Sequence, residues 1–382
     1  MAGAWLLGED GERTAAPRAV LVAVQRDRAA GASGTELSLA ELRRLADTDG
    51  LEVVDTVVQS REGPDPATYV GSGKTGELAS AAQQARADLI IADGELTGRQ
   101  AHTLEERTGV RVVDRTALIL DIFAQHARSS EGRLQVELAQ IAYQLPRLRG
   151  QGEALSRVGG GRVAGGAGIG VRGPGEMRLE TQRRTLRRRA TELRRRVAAL
   201  TRRRQRTRDR RARNRVPSVA IIGYTNAGKS ALLNRLSGAE VSSADVLFAT
   251  LDPTVRRISA DQATFTLTDT VGFIRHLPHQ LVDAFESTLE EVRQADLVLH
   301  VVDASAPDAL GQITTVHGVL HEIGAGDVPE QLVLNKTDIA PAEWVSALCR
   351  CHPDAIGVSA LTGDQVTALR TRLVDWAREH TY

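Results

Sequence analysis

The sequence predicts an α/β protein in three parts: a small N-terminal parallel α/β domain, an antiparallel helical hairpin arm, and a C-terminal Rossmann-like domain built on a phosphate-binding loop. Three observations predict it. Strand-like and helix-like runs alternate from residue 20 to residue 128, as in parallel sheets joined by crossover helices. Two long helical stretches flank a glycine-rich tract between residues 131 and 215. Beyond residue 216 an apolar strand, a glycine-bearing turn and an amphipathic helix follow one another directly.

Residues 1–18 mix glycine, alanine and charges without periodicity and read as a loose tail. In the first domain, 19–130, strands are expected at 20–24, 53–58, 89–92 and 110–113, and helices at 39–45, 76–87, 99–107 and 117–128. Gly71-Ser72-Gly73-Lys74-Thr75 imitates a phosphate loop, but Thr68 stands where the motif needs its first glycine. A second nucleotide site, a Gly-Lys loop touching RNA phosphate and an inert turn are its three readings, with the inert turn as the default.

The arm is expected over 131–215. Its first helix, 131–149, carries the stripe Leu134, Leu138, Ile141, Leu145 and Leu148, with Pro146 expected to kink its end. The second, 177–213, carries Leu179, Leu186, Leu193, Val197 and Leu200 at near-heptad spacing, so the two stripes can pair as a hairpin. Between Met177 and Arg215 stand 18 arginines against Glu180, Glu192 and Asp209, a surplus of 15 positive charges; with a net charge of +1, the remainder carries −14. A charge run is usually a solvated face. Here the acids at i±4 that would neutralise it are missing, which favours phosphate contact through residues such as Arg187, Arg194 and Arg203. Aromatic residues are nearly absent, which points away from stacking on single strands and toward folded RNA bound by its backbone. The tract 151–175 is too rich in glycine to form a core and reads as a linker. Yet Arg157, Arg162, Arg172 and Gly173 lie in it with Glu153 as its one acid, so a supple cationic loop suits a crowded RNA pocket.

The last domain, 216–382, carries the chemistry. Val219, Ala220, Ile221 and Ile222 lead into Gly223-Tyr224-Thr225-Asn226-Ala227-Gly228-Lys229-Ser230, a G-x-x-x-x-G-K-S pattern in the strand–turn–helix context it requires. Its glycines let backbone N–H groups close around phosphates, and the helix opening at Lys229 adds its positive end. Asp269-Thr270-Val271-Gly272 ends an alternating strand, where Asp269 can hold a Mg²⁺-bound water and the Gly272 amide can reach a γ-phosphate. Asn335-Lys336-Thr337-Asp338 follows an apolar strand; a carboxylate there accepts both the N1–H and the amine of guanine, a donor pair adenine lacks. Ser359-Ala360-Leu361 can support the guanine O6 with its backbone. Together these stretches define a site for GTP or GDP and resemble the translation-factor class of P-loop GTPases. Lysine usage agrees: of 49 basic residues only Lys74, Lys229 and Lys336 are lysine, and two of these lie in the nucleotide motifs, where a compact ammonium fits and a guanidinium fork does not.

Composition sets the outer bounds. At 382 residues the chain has room for two or three domains. No apolar run approaches the roughly 18 residues that span a bilayer, and the N-terminus lacks a signal-peptide pattern, so a soluble cytoplasmic protein is expected. Cys349 and Cys351 form a lone C-x-C, read as free thiols on a helix, and His276 and His279 read as surface residues.

By its motifs the chain resembles the HflX-type GTPases, a family that acts on the bacterial large ribosomal subunit. The resemblance covers about residues 53–374 and rests on Thr68-Tyr69-Val70-Gly71-Ser72-Gly73-Lys74, Asp114-Arg115-Thr116, Leu134-Gln135-Val136-Glu137-Leu138-Ala139-Gln140, Arg172-Gly173-Pro174-Gly175-Glu176 and Leu247-Phe248-Ala249-Thr250-Leu251-Asp252-Pro253-Thr254, besides the GTPase motifs. It implies a monomeric factor that binds the 50S subunit in its GTP form, its glycine-rich loop near the rRNA of the peptidyl transferase centre, and that splits stalled or idle 70S ribosomes, in some members protecting against drugs. The loop is longer than usual, and the chain stops after its last G-domain helix where many members carry a further C-terminal domain.

The expected roles follow. Ser230, Thr250 and Asp269 form the Mg²⁺ shell, and Lys229 bridges the β- and γ-phosphates. Phe273 stands where many GTPases place a water-orienting glutamine, so it is expected to pack, and turnover is expected to be slow until the ribosome orders the switches. Asn226 either holds a potassium ion or caps the turn. Two other functions are weighed: a GTP-dependent assembly or RNA-binding module without splitting activity, and an arm that binds acidic membrane, disfavoured by its narrow apolar stripe without Trp or Phe.

Overall fold

The computed structural model describes residues 16–26, 31–158, 174–213, 216–238, 247–248, 253–260, 263–275 and 286–380. The chain forms two compact units, one from the residues up to Gln125 with Leu134–Arg196, the other from His126–Arg133 with Val197–Tyr382.

In the first unit β1 (Arg18–Gln25), β2 (Glu52–Ser60), β3 (Leu89–Ala92) and β4 (Arg111–Asp114) make an all-parallel sheet in the order β2-β1-β3-β4. Helices α1 (Gly31–Thr48), α2 (Ser72–Gln84), α3 (Gly98–Thr108) and α4 (Arg115–His126) connect and follow the strands. Residues 19–23 and 89–92 are buried throughout, as the central strands of a doubly covered parallel sheet must be. Local chemistry fixes the ends of α3: Thr97 and Gln100 form a reciprocal capping box, and Gly109 closes the helix at φ +69°.

The Gly71–Thr75 stretch is the entry to α2, which opens four residues earlier than expected. Its groups are engaged within the fold: the Gly71 N–H donates to Gln59 Oε1 at 2.7 Å, the Thr75 hydroxyl donates to the Gly71 carbonyl at 3.0 Å, and Lys74 Nζ lies 2.5 Å from Glu77.

Helices α5 (Ser130–Val158) and α6 (Pro174–Arg213) form the hairpin. Both invade the tract expected to be a loop at 151–175. Proline inside a helix removes one hydrogen bond, and here Pro146 lies well inside α5, with the helix running on past it, rather than marking its end. Pro174 opens α6 at the first helical position, where its missing N–H costs nothing. Residues 159–173, with Arg162, Arg172 and Gly173, lie outside the described residues. Ile141, Ala190 and Leu193 are buried where the helices meet, flanked by Leu134, Leu138, Leu145 and Leu186, and Arg189 forks onto Glu137 at 2.6 and 2.9 Å.

The middle of α5 is fastened to the sheet. Asp114, fully buried at the end of β4, accepts from the Leu96 N–H at 2.9 Å, the Ala117 N–H at 3.0 Å and the Tyr143 hydroxyl at 3.0 Å, and pairs with Arg147. Arg147 also donates to the Leu96 carbonyl at 2.8 Å. Beside it the buried Arg115 pairs with Asp93 at 3.1 Å and with Glu41.

In the second unit β5 (Ser218–Gly223), β6 (Thr254–Ala260), β7 (Ala263–Asp269), β8 (Leu297–Asp303), β9 (Glu330–Asn335) and β10 (Ile356–Gly357) stand in the order β10-β9-β8-β5-β7-β6, parallel except for the edge strand β6. Helices α7 (Lys229–Ser237), α8 (Glu286–Arg293), α9 (Ala309–Glu322), α10 (Ala342–Cys351) and α11 (Val366–Glu379) complete it. One sheet face packs Ile221, Phe265, Leu267 and Leu299 against Leu233, Leu369 and Leu373; the other packs Val302, Leu332 and Leu334 against Ile313 and Leu348. Truncating any such buried leucine to alanine costs about 2–5 kcal/mol. Among the described residues no helix is long and apolar enough to cross a membrane.

Candidate nucleotide site

The site forms where the C-terminal ends of β5, β7, β9 and β10 open, the place where parallel α/β sheets take ligands. Between β5 and α7 the chain turns through Gly223 at φ +147°, Asn226 at +60° and Gly228 at +90°. A Cβ on Gly223 would strike the Val301 carbonyl, and one on Gly228 the Asn335 amide, so close approach as well as φ demands glycine. Asparagine tolerates the left-handed region, which accounts for Asn226 by turn geometry. A second strap holds the loop: the Thr225 N–H donates to the Phe273 carbonyl at 2.7 Å, and the Phe273 N–H to the Gly223 carbonyl at 3.1 Å. The Phe273 ring is wholly buried, the packing role expected of it. Gly272 lies against Thr225 and Lys229; a Cβ there would come within 3.0 Å of Lys229 Nζ.

Lys229 folds back into its own loop, donating to the Gly223 carbonyl at 3.2 Å and the Tyr224 carbonyl at 2.8 Å. Burial pushes its pKa down to about 8, against the opposing pull of Asp269. The Ser230 hydroxyl donates to Asp269 Oδ2 at 2.6 Å, and Asp269 is 1% exposed. A hydroxyl and an ionisable carboxyl juxtaposed at the mouth of an anion-binding loop are the oxygen donors a hard divalent cation takes, so these residues fit Mg²⁺. Thr250 lies outside the described residues; Leu247 and Phe248 just before it are buried.

On the base side Asn335 points inward. Its Nδ2 donates to the Ala227 carbonyl at 2.8 Å and its Oδ1 accepts from the Ala360 N–H at 2.9 Å, so its side chain joins loops rather than reaching outward. Lys336, at φ +62°, holds Asp303 at 2.7 Å, while Asp338 is exposed. Ser359 is buried, its hydroxyl accepting from the Thr362 N–H at 3.0 Å. Two contributors escaped the sequence reading. Arg235 on α7 donates to the Ala360 carbonyl at 3.1 Å and the Leu361 carbonyl at 2.5 Å, and Asp303 ends a strand not anticipated. For Asp303 the signal was available, since Leu297–Asp303 is an apolar run closed by a carboxylate; Arg235 had none.

Arg187 and Arg194 are exposed on α6, Arg203 lies on α6 and Arg157 on α5. His276 and His279 lie outside the described residues, and Cys349 and Cys351 are free thiols on α10.

Comparison with known proteins agrees with this layout. Residues 36–124 match the family described as GTP-binding GTPase N-terminal, residues 126–211 the GTP-binding GTPase middle region, and residues 218–336 a 50S ribosome-binding GTPase. The chain is 50% identical over 323 residues to GTPase HflX of Caldanaerobacter subterraneus subsp. tengcongensis, covering 84% of this chain and 73% of that protein. It is 44% identical over 351 residues to GTPase HflX of Escherichia coli (strain K12), covering 90% and 80%. Among solved structures, the GDP complex of SsGBP aligns with a TM-score of 0.50 at 24% identity, over 96% of this chain and 100% of that one, a likeness of fold.

Proposed function

The chain belongs to the HflX family of GTPases and hydrolyses GTP to GDP and phosphate; from that premise we propose that it is a cytoplasmic, monomeric factor that binds the 50S subunit and splits stalled or idle 70S ribosomes. The observation that supports a polyanionic target is the outer face of α6. Arg184, Arg187, Arg188, Arg194 and Arg195 are exposed there, and among the described residues none has an acidic partner. Unpaired arginines on a rigid helix suit folded RNA, whose phosphates release counterions on contact. In this reading Arg157, Arg162, Arg172 and Gly173 line the tip that reaches the rRNA near the peptidyl transferase centre.

In the nucleotide site Gly223, Tyr224, Thr225, Asn226, Ala227, Gly228, Lys229 and Ser230 wrap the phosphates. Lys229 exchanges two loop carbonyls for phosphate oxygens, a gain for a buried ammonium that the neutral dipoles satisfy only in part. The Gly272 N–H meets the γ-phosphate, Asp338 reads guanine, and Ser359 and Ala360 support its O6. Ser230, Thr250 and Asp269 would hold Mg²⁺, which when bound neutralises charge on the phosphates. Phe273 offers no proton donor or acceptor for the attacking water, so hydrolysis is slow until a partner orders the switches, an effect worth roughly three to five orders of magnitude in related systems. A potassium ion at Asn226 would add charge of the same kind.

The test is light scattering of purified 70S ribosomes with the protein and a non-hydrolysable GTP analogue. Loss of 70S supports splitting. Stable 50S binding without loss replaces it with the assembly or RNA-binding module, and liposome binding at physiological salt in place of 50S binding favours the membrane reading. GTP turnover with and without 50S, in KCl and in NaCl, tests activation; equal rates in all four remove it.

A further inference from the structure

Three side chains of metal-ligating type meet on the face of the second sheet that packs α9. Strands β8 and β9 run parallel with Val298 opposite Glu330 and His300 opposite Leu332, so Glu330 and His300 stand diagonally on one face. Helix α9 lays His317 across them. His300 Nδ1 lies 2.7 Å from Glu330 Oε1, and His317 Nε2 lies 2.9 Å from Oε2 and 3.1 Å from Oε1. The imidazoles stand at 71° with centroids 5.5 Å apart, and one donor atom from each residue falls within 4.8 Å of the others.

We propose that His300, His317 and Glu330 bind a divalent transition-metal ion of the Zn²⁺ class, with the remaining coordination position open to solvent beside His317. Two imidazoles and a carboxylate are a three-ligand set that zinc takes when its fourth position is left to water, whereas Mg²⁺ selects oxygen donors. Zinc–ligand distances near 2.0–2.1 Å put tetrahedral ligand atoms about 3.3 Å apart, so each imidazole need draw back from Glu330 by only a few tenths of an ångström when an ion takes the place of the hydrogen-bonded protons, with the two imidazole nitrogens already within 4.8 Å of each other. The protonation states are suitable as well. Burial holds the His300 pKa below the usual histidine value, and, although burial would raise it, hydrogen bonds from His300 and His317 hold the Glu330 carboxyl at about 2. A neutral imidazole and an ionised carboxylate are the forms a metal binds. His317 is 46% exposed and His300 1%, so an ion can enter from the α9 side and finish on a buried ligand.

The experiment uses the full chain loaded with Mg·GDP, with Cys349→Ser and Cys351→Ser to remove thiol ligands, titrated with Zn²⁺ by calorimetry and assayed for metal after desalting. One bound equivalent is expected, weakened at least a hundredfold by His317→Ala and by Glu330→Gln, with GDP affinity unchanged. His317→Ala alters only a half-exposed helix position, and circular dichroism verifies its fold. Co²⁺ should bind with visible d–d absorption and no sulfur charge-transfer band. No bound Zn²⁺ in the parent, or a full equivalent retained in His317→Ala, overturns the proposal in favour of a hydrogen-bonded trio.

Discussion

Asn335 Nδ2 donates to the Ala227 carbonyl at 2.8 Å, and this single bond ties the base side of the nucleotide site to its phosphate side. The same side chain holds the Ala360 N–H, so three loops share one amide. Asn335→Ala should weaken GDP binding roughly 30- to 150-fold, the equivalent of about 2–3 kcal/mol for two buried hydrogen bonds. Fluorescent-GDP titration measures it, and unchanged affinity would show that the loops are held without the clamp.

Lys229 makes nucleotide binding pH-dependent. Its free-state pKa of about 8 rises when phosphates surround the ammonium, so binding takes up protons above pH 8 and affinity falls as pH climbs beyond that point. Calorimetry at pH 8.5 in buffers of different ionisation enthalpy should register the uptake in the parent and lose it in Lys229→Ala.

Base selectivity should reside in Asp338. Asp338→Asn exchanges a double acceptor for a mixed donor and acceptor, which should cost GTP about 1.5–3 kcal/mol and favour xanthosine triphosphate. Competition between the two nucleotides decides the matter; equal preference for GTP in both proteins would remove Asp338 from base recognition.

Charge reversal at Arg187, Arg194 and Arg203 together should weaken ribosome affinity and flatten its dependence on log salt by about one for each phosphate the arm no longer neutralises. GTP affinity of the free protein should stay constant. A fall in nucleotide affinity instead would contradict the division of labour between arm and nucleotide site.

A stability change is expected in the first unit. Burial, reinforced by the neighbouring Asp121, pushes the Asp49 pKa up to about 9, while Gln125 donates to it at 2.5 Å. The folded chain keeps this proton where the unfolded chain releases it near 3.8, so the contribution is complete below that pH and is lost as pH rises toward 9. Asp49→Asn should flatten the slope and stabilise the protein at pH 8 by about 1 kcal/mol or more. Urea midpoints across that pH range provide the measurement.

What could be read in advance was what short-range chemistry dictates. Gly223 to Ser230 announced itself because a backbone that must approach phosphate and Val301 needs glycine at fixed offsets. Thr68 in place of glycine set Gly71–Thr75 apart from a complete phosphate loop, and in the fold the Gly71 N–H is taken by Gln59. The extent of α5 was illegible, because whether a helix survives Pro146 depends on what packs against it, and the partner stripe on α6 lies about fifty residues away. Edge strand β6 was missed because Arg256 and Arg257 interrupt its alternation. Asn335 was legible as a site residue but not as a clamp, since its partner Ala227 is 108 residues distant.

Asp114 collects a hydroxyl, a guanidinium and two amides from separate stretches of chain beside the middle of α5. A helix pinned at so many points along its waist is no swivel. Within this unit a push on that helix is borne by the four parallel strands, as a chisel's blow is borne by its handle, and loosening that one carboxylate would turn a stiff tool into a tethered one.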